Sequence, residues 1–257
     1  MSFKTSTLTV CSALLPALTT VQAIEYSTLE FGDTRATVCK IDTRKERLQL
    51  FLRDEDERPF HHFERLASWL ETRKQTLIFA MNAGMYHRDY SPVGLFVSEG
   101  KQAFPPNYDD GKGNFFLKPN GIFAITERNA YVIDSSDYGK IRGRVLLATQ
   151  SGPLLLKNGT IHPAFKPDSD SRLIRNGVGI LSPGVALFVI NETPLNLYEF
   201  ACLFKDRLHC QNALYFDGNV SSLYSSELKR NDIKTHLGPI IGVTENLPAT
   251  ARPQTIR

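Results

Sequence analysis

The stretch ALYFDGNVSSLY, residues 213–224, decides how the chain is read. Leu214, Tyr215 and Phe216 make a short apolar run that stops on Asp217, followed by Gly218, Asn219, Val220 and the serines Ser221 and Ser222. An apolar run of this length bounded by turn residues is the pattern of a buried strand. Asp-Gly is also ordinary turn chemistry, so Asp217 taken alone reads as a turn residue before it reads as a reactive one.

The same design recurs along the chain. FAMNAGMY ends a strand on Asn82 and Gly84, TQSGPLL ends one on Ser151 and Gly152, and LIRNGVG carries Arg175 and Asn176 into another. Each places small residues beside a strongly polar group. Glycines let a backbone approach a ligand closely, and exposed amide groups at such turns suit an anion. Arg175 offers a planar fork of donors matched to phosphate or carboxylate. Asn82 is a hydrogen-bond donor to sugar or phosphate oxygens, and Asp217 a nucleophile, base or electrostatic partner. The plainer reading makes Arg175 a surface ion-pair partner and His87, in MYHRDY, a solvated loop residue.

Outward from these segments, strands outnumber helices. NGIFAITERNAYVID reads as a hairpin turning near Arg128 and Asn129, GVGILSPGVALFVIN as another turning at Ser182-Pro183-Gly184, and LLLKNGTI as a third turning at Asn158-Gly159. ATVCKID and LQLFLRD read as a further hairpin joined by TRKER. Two amphipathic helices are expected: one with Phe63, Leu66, Ala67 and Leu70 on a face, beginning at His61 and His62, the other with Leu197, Phe200, Ala201 and Phe204. Neighbouring strands joined by short turns, with few helices, predict an α+β fold: one domain, its mixed sheet largely antiparallel, with the helices packed on it.

Composition bounds the function. The chain has 257 residues, 42% hydrophobic and 22% charged, with net charge +3. Lys4, an apolar run from Leu8 to Leu18 and the small-residue site Val21-Gln22-Ala23 form a secretory signal pattern, with no acid before Glu25. The expected division is a signal peptide at 1–23 and a domain at 24–257. Export would place the mature protein in a periplasm or outside the cell. Its charge is too small, and its basic residues too scattered, for a nucleic-acid reader. No stretch after the N-terminus is apolar and long enough to span a bilayer. No cofactor is expected: GVGIL does not open a helix as a dinucleotide loop would, and no phosphate-loop pattern occurs. No metal is expected either, since no CxxC and no histidine pair at ligand spacing are present. Cys39, Cys202 and Cys210 remain after removal of the leader. In an oxidising compartment Cys202 and Cys210, on either side of a helix end, are candidates for a disulfide, and three buried thiols are the alternative.

Four motifs in this order resemble the phosphodiester glycosidase family: Asn82-Ala83-Gly84-Met85-Tyr86, Gln150-Ser151-Gly152-Pro153-Leu154, Arg175-Asn176-Gly177-Val178-Gly179 and Asp217-Gly218-Asn219-Val220-Ser221. Ala83, Asn219 and Val220 stand where the family pattern has glycines. The resemblance implies cleavage between a sugar's anomeric carbon and a phosphate, hence a phosphorylated carbohydrate substrate. Within it, Asp217, Arg175 and Asn82 would be catalytic, and Ser151, Gly152, His87, Gly84, Asn176, Gly218 and Ser221 would bind substrate. Arg175 and the backbone near Gly152 would hold the phosphate. A glycosidase ordinarily needs two carboxylates; Asp89, Asp168 and Asp170 are the candidates for the second. The rival reading is an exported module that binds anionic glycans without cleaving them.

Overall fold

The computed structural model describes residues 24–232 and 235–247. The expected leader and its cleavage site lie outside these residues. Three antiparallel sheets make up the architecture. A seven-stranded sheet runs in the order 24–31, 34–42, 185–191, 176–182, 212–215, 154–157, 160–161. A five-stranded sheet runs 230–231, 223–225, 75–82, 240–246, 48–51, and a second one 101–104, 96–98, 145–151, 121–126, 130–134.

The sheets share one core, to which all three contribute buried residues. At its centre Phe79, Phe123 and Phe188, one from each sheet, meet with ring centroids 5.3 Å (Phe79–Phe188) and 5.6 Å (Phe123–Phe188) apart. Such pairs add about 1 kcal/mol each to the burial of their area. The outer faces of two sheets are closed by helices. Phe63–Glu71 lays Phe63, Leu66 and Leu70 against the 75–82 strand side, and Leu197–Cys202 lays Phe200 and Ala201 on the seven-stranded sheet. The second helix starts at Asn196, whose side chain accepts from Glu199 N (2.9 Å) while Glu199 returns a carboxylate to Asn196 N. That reciprocal cap satisfies two orphan amides of the first turn. Its expected continuation to Phe204 is present as a π-turn over Leu203–Arg207.

The hairpins at 121–134, 154–161 and 176–191 form as the sequence predicts. The hairpin expected of ATVCKID and LQLFLRD does not. Both edges of Thr34–Asp42 are already occupied, by 24–31 and by 185–191. Arg44 folds back onto Asp42 (2.8 Å) and Thr43 N bonds Gly184 O (2.8 Å), so the chain crosses to the other sheet, where Leu48–Phe51 pairs with Ile240–Val243. The expected Cys202–Cys210 bridge is also absent: Cys39, Cys202 and Cys210 are free thiols. The π-turn carries the two residues into different surroundings. Cys210 sinks beside Phe204 and Gly179, and Cys202 stays half-buried near Tyr198 and Asp206. Burial raises both thiols above their ordinary pKa.

Candidate active site

Three strand ends, one from each sheet, converge. Asn82 ends the central strand of one five-stranded sheet, Ser151 ends a central strand of the other, and Asp217 follows the 212–215 strand of the seven-stranded sheet. Asn176, which opens the neighbouring strand, ties two of these ends together. Asn82 Nδ2 donates to Asn176 Oδ1 (3.2 Å) and to the Asp217 carbonyl (3.1 Å), and Asn176 Nδ2 donates to the Asn82 carbonyl (3.0 Å). Ser221 Oγ donates to Asn176 Oδ1 (2.9 Å), and Ser222 N to Asn82 Oδ1 (2.9 Å). Asn82, Asn176 and Ser221 are fully buried, so their amides and hydroxyl are fixed by this knot and not by water. Its effect is to clamp the backbone that carries Asp217.

The Asp217 carboxyl itself is only half-buried. One oxygen accepts from Asn219 N (3.1 Å), and no lysine, arginine or histidine pairs with it among the described residues. Burial raises its pKa above the usual carboxylate range, with the Asn219 amide opposing. Tyr86 and Tyr215 lie close enough for its charge to raise their own pKa values, secondary in each case to burial.

Arg175 is placed differently from its expected role. The side chain is 1% exposed, and its donors are occupied: Nε by the Leu195 carbonyl (2.6 Å), Nη1 by the Tyr215 hydroxyl (3.0 Å) and Nη2 by the Ser171 carbonyl (2.6 Å). Tyr215 Oη also accepts from Gly218 N (2.7 Å), so one hydroxyl joins Arg175 to the residue after Asp217. Gly218 is required there, since a Cβ would lie 2.0 Å from that oxygen. Arg175 therefore reaches the site through Tyr215.

The remaining candidates divide. Gly84 lies in the convergence, its amide on Thr149 Oγ1 (3.2 Å), and a Cβ there would strike the Gln150 carbonyl at 2.3 Å. Ser151 is wholly buried and its Oγ has no partner. Gly152 is buried too, hemmed in by Asn120 and Phe115, so its amide does not line an open anion pocket. His87 is exposed in the 87–91 turn. Asp89, in the same turn, accepts from Ser91, and Asp168 and Asp170 are exposed in the loop before Arg175. Tyr215 and Tyr86 were not singled out as site residues in the sequence. A tyrosine inside an apolar run was the available signal, because a buried phenol needs a hydrogen-bond partner.

This arrangement coincides with the matched part of the sequence. The phosphodiester glycosidase pattern matches residues 75–244, from the strand that ends on Asn82 to the strand paired with it. The chain belongs to the phosphodiester glycosidase family. It is 39% identical over 145 residues to the protein YigE of Escherichia coli, an alignment covering 56% of this chain and 57% of that one, so the match spans little more than half of that relative. The fold is similar to the zebrafish N-acetylglucosamine-1-phosphodiester α-N-acetylglucosaminidase catalytic domain, auto-inhibited by its pro-peptide (TM-score 0.60, 14% identity, 88% of this chain and 84% of that one). It is also similar to a Synechocystis protein (TM-score 0.51, 14% identity, 86% and 61%) and to a Burkholderia pseudomallei protein described as exported (TM-score 0.50, 10% identity, 82% and 74%). At these identities the solved structures speak for the phosphodiester glycosidase fold alone. Among the described residues no helix is long and apolar enough to cross a membrane.

Proposed function

We propose that this phosphodiester glycosidase hydrolyses the bond between an anomeric carbon and a phosphodiester oxygen in an anionic glycan outside the cytoplasm. Water adds across the bond: the sugar leaves with a free hydroxyl and the phosphate as a monoester. The observation that carries the reading is Asp217, a partly buried carboxyl without a cationic partner among the described residues, its backbone clamped where the ends of three sheets meet. A phosphate leaving group is a weakly basic anion, so it needs little protonation on departure, unlike the alcohol of an ordinary glycoside. One well-placed carboxylate then suffices to stabilise an oxocarbenium-like carbon, attack it or activate water. Asn82, Asn176 and Ser221 act as positioning residues, since they bond to one another and to the Asp217 carbonyl. The 1–23 leader pattern supports action beyond the cytoplasm.

The test uses purified wild-type protein and a panel of sugar-1-phosphodiesters in oxygen-18 water. The expected result is sugar release with the label in the sugar, and loss of release in Asp217→Asn. Binding without product would replace this reading with that of a glycan-binding module. Label in the phosphate would move the attack to phosphorus.

A further inference from the structure

With Arg175 enclosed, the site as drawn lacks a group to meet the phosphate. On the Tyr86 side of the site, however, the five-stranded sheet ends in a cluster of imidazoles that the family motifs do not include. The 236–240 segment lies along the 82–86 segment: Ala83 N bonds Pro239 O (2.9 Å), Ile240 pairs with Asn82, and Tyr86 Oη donates to the His236 carbonyl (2.7 Å). Leu237 pairs in turn with His61. The rings follow this backbone. His61 stacks on His236 (4.6 Å between centroids, 25° between planes), His62 meets His236 at 4.9 Å, and His61 meets Tyr90 at 4.2 Å. Tyr90 stacks on Tyr86, which feels the Asp217 charge, and its hydroxyl is 3.1 Å from His236 Nδ1.

We propose that His61, His62 and His236, with Tyr90, form a phosphate-binding subsite on the Tyr86 side of the site; the proposal rests on the phosphodiester reading above. Three observations carry it. His61 Nδ1 is buried and has no partner among the described residues, which leaves a polar atom for a ligand to satisfy. His61 and Tyr90 both hold left-handed backbone (φ 61° and 67°), a conformation unfavourable for such side chains that persists where surrounding structure enforces it. Burial first, then the neighbouring His236, His62 and Arg65, hold the His61 imidazole below its ordinary pKa, and an anion among these groups offsets their mutual repulsion. A metal does not fit the cluster. No group of three or more metal-ligating side chains is placed to hold an ion among the described residues.

The chain has six histidines, and His87, His162 and His209 serve as internal controls. Inorganic phosphate is titrated into the protein while the imidazole NMR signals are followed. Saturable shifts confined to His61, His62 and His236 are expected; no shifts, or equal shifts on all six, overturn the proposal. Two variants preserve the backbone: His61→Asn, since asparagine tolerates left-handed φ, and His236→Ala on an exposed segment. Each should raise KM for a sugar-1-phosphodiester about tenfold, as loss of one charge-assisted hydrogen bond does, with kcat within about twofold. Unchanged KM in folded, active variants overturns the subsite. Wild-type protein that cleaves no diester would instead sink the proposed reaction, and the phosphate titration would still decide the subsite.

Discussion

Arg175 and Asp217 lie on two sides of a single hydroxyl, that of Tyr215, and they have opposite fates. The guanidinium is sealed from water, and each of its three nitrogens donates to an oxygen within 3.0 Å. Two of those oxygens are backbone carbonyls of the segments 171–173 and 195, which Arg175 ties together. Asp217 is partly buried, and its carboxyl accepts one backbone amide and forms no ion pair among the described residues. A buried ion whose every nitrogen is engaged in a short hydrogen bond is structural, because any reaction would have to break those bonds first. A partly desolvated ion with few partners is available for chemistry. Burial of a charged group thus identifies a site only when its hydrogen-bonding capacity is left open.

The largest expected effect breaks this comparison at Asp217. Asp217→Asn should lower kcat at least about a thousandfold, roughly 4 kcal/mol of transition-state stabilisation, while leaving the fold intact. Stability should move the other way. The folded pKa of Asp217 lies above its unfolded value, so ionisation opposes folding. That penalty is absent below the unfolded pKa, grows as pH rises through it, and is complete above the folded value. Denaturant unfolding at neutral pH should therefore find the asparagine variant as stable as wild type or more so, and the difference should vanish at low pH. A variant that is less stable at neutral pH and inactive would make Asp217 a structural residue like Arg175.

At Arg175 the next effect is on stability. Arg175→Lys keeps the charge but replaces a planar fork with a single ammonium that cannot reach the Leu195 carbonyl, the Ser171 carbonyl and Tyr215 together. The expected loss is about 3 kcal/mol in unfolding free energy, since it leaves buried carbonyls unpaired. Activity per folded molecule, with KM for the diester, should hold. A collapse of KM in a stable protein would restore Arg175 to the phosphate.

These two residues also mark what the sequence could and could not disclose. Local pairing was legible: hairpins closed by Asn158-Gly159 and Pro183-Gly184 are written in adjacent residues. Asn82 and Asp217 were legible as polar residues ending apolar runs, a placement that an ordinary turn explains equally well for either one alone. The crossing after Asp42 was not, because which edge a strand pairs with depends on partners some 150 residues away, as Asn191 on Ala36 illustrates. The burial of Arg175 was illegible for the same reason. Two of its three partners are backbone carbonyls, which every residue has and no sequence pattern marks. The His61–His236 stack joins residues far apart along the chain through sheet closure, so neither motif spacing nor helical periodicity could reveal it.

The smallest effect sharpens the comparison at the hydroxyl between the two residues. Tyr215→Phe keeps the ring, which the guanidinium overlies at 5.4 Å, and removes only the oxygen that accepts from Arg175 Nη1 and Gly218 N. Both donors are buried, so leaving them unpaired should cost about 2 kcal/mol of stability. On the Asp217 side the lost bond frees the Gly218 amide, and the carboxyl it positions loosens. With the Asn82–Asn176–Ser221 knot still holding the Asp217 carbonyl, the change should be modest: kcat down about tenfold and KM for the diester nearly constant. Equal falls in stability with no change in kcat would show that the knot alone positions Asp217, and that Tyr215 belongs wholly to the arginine.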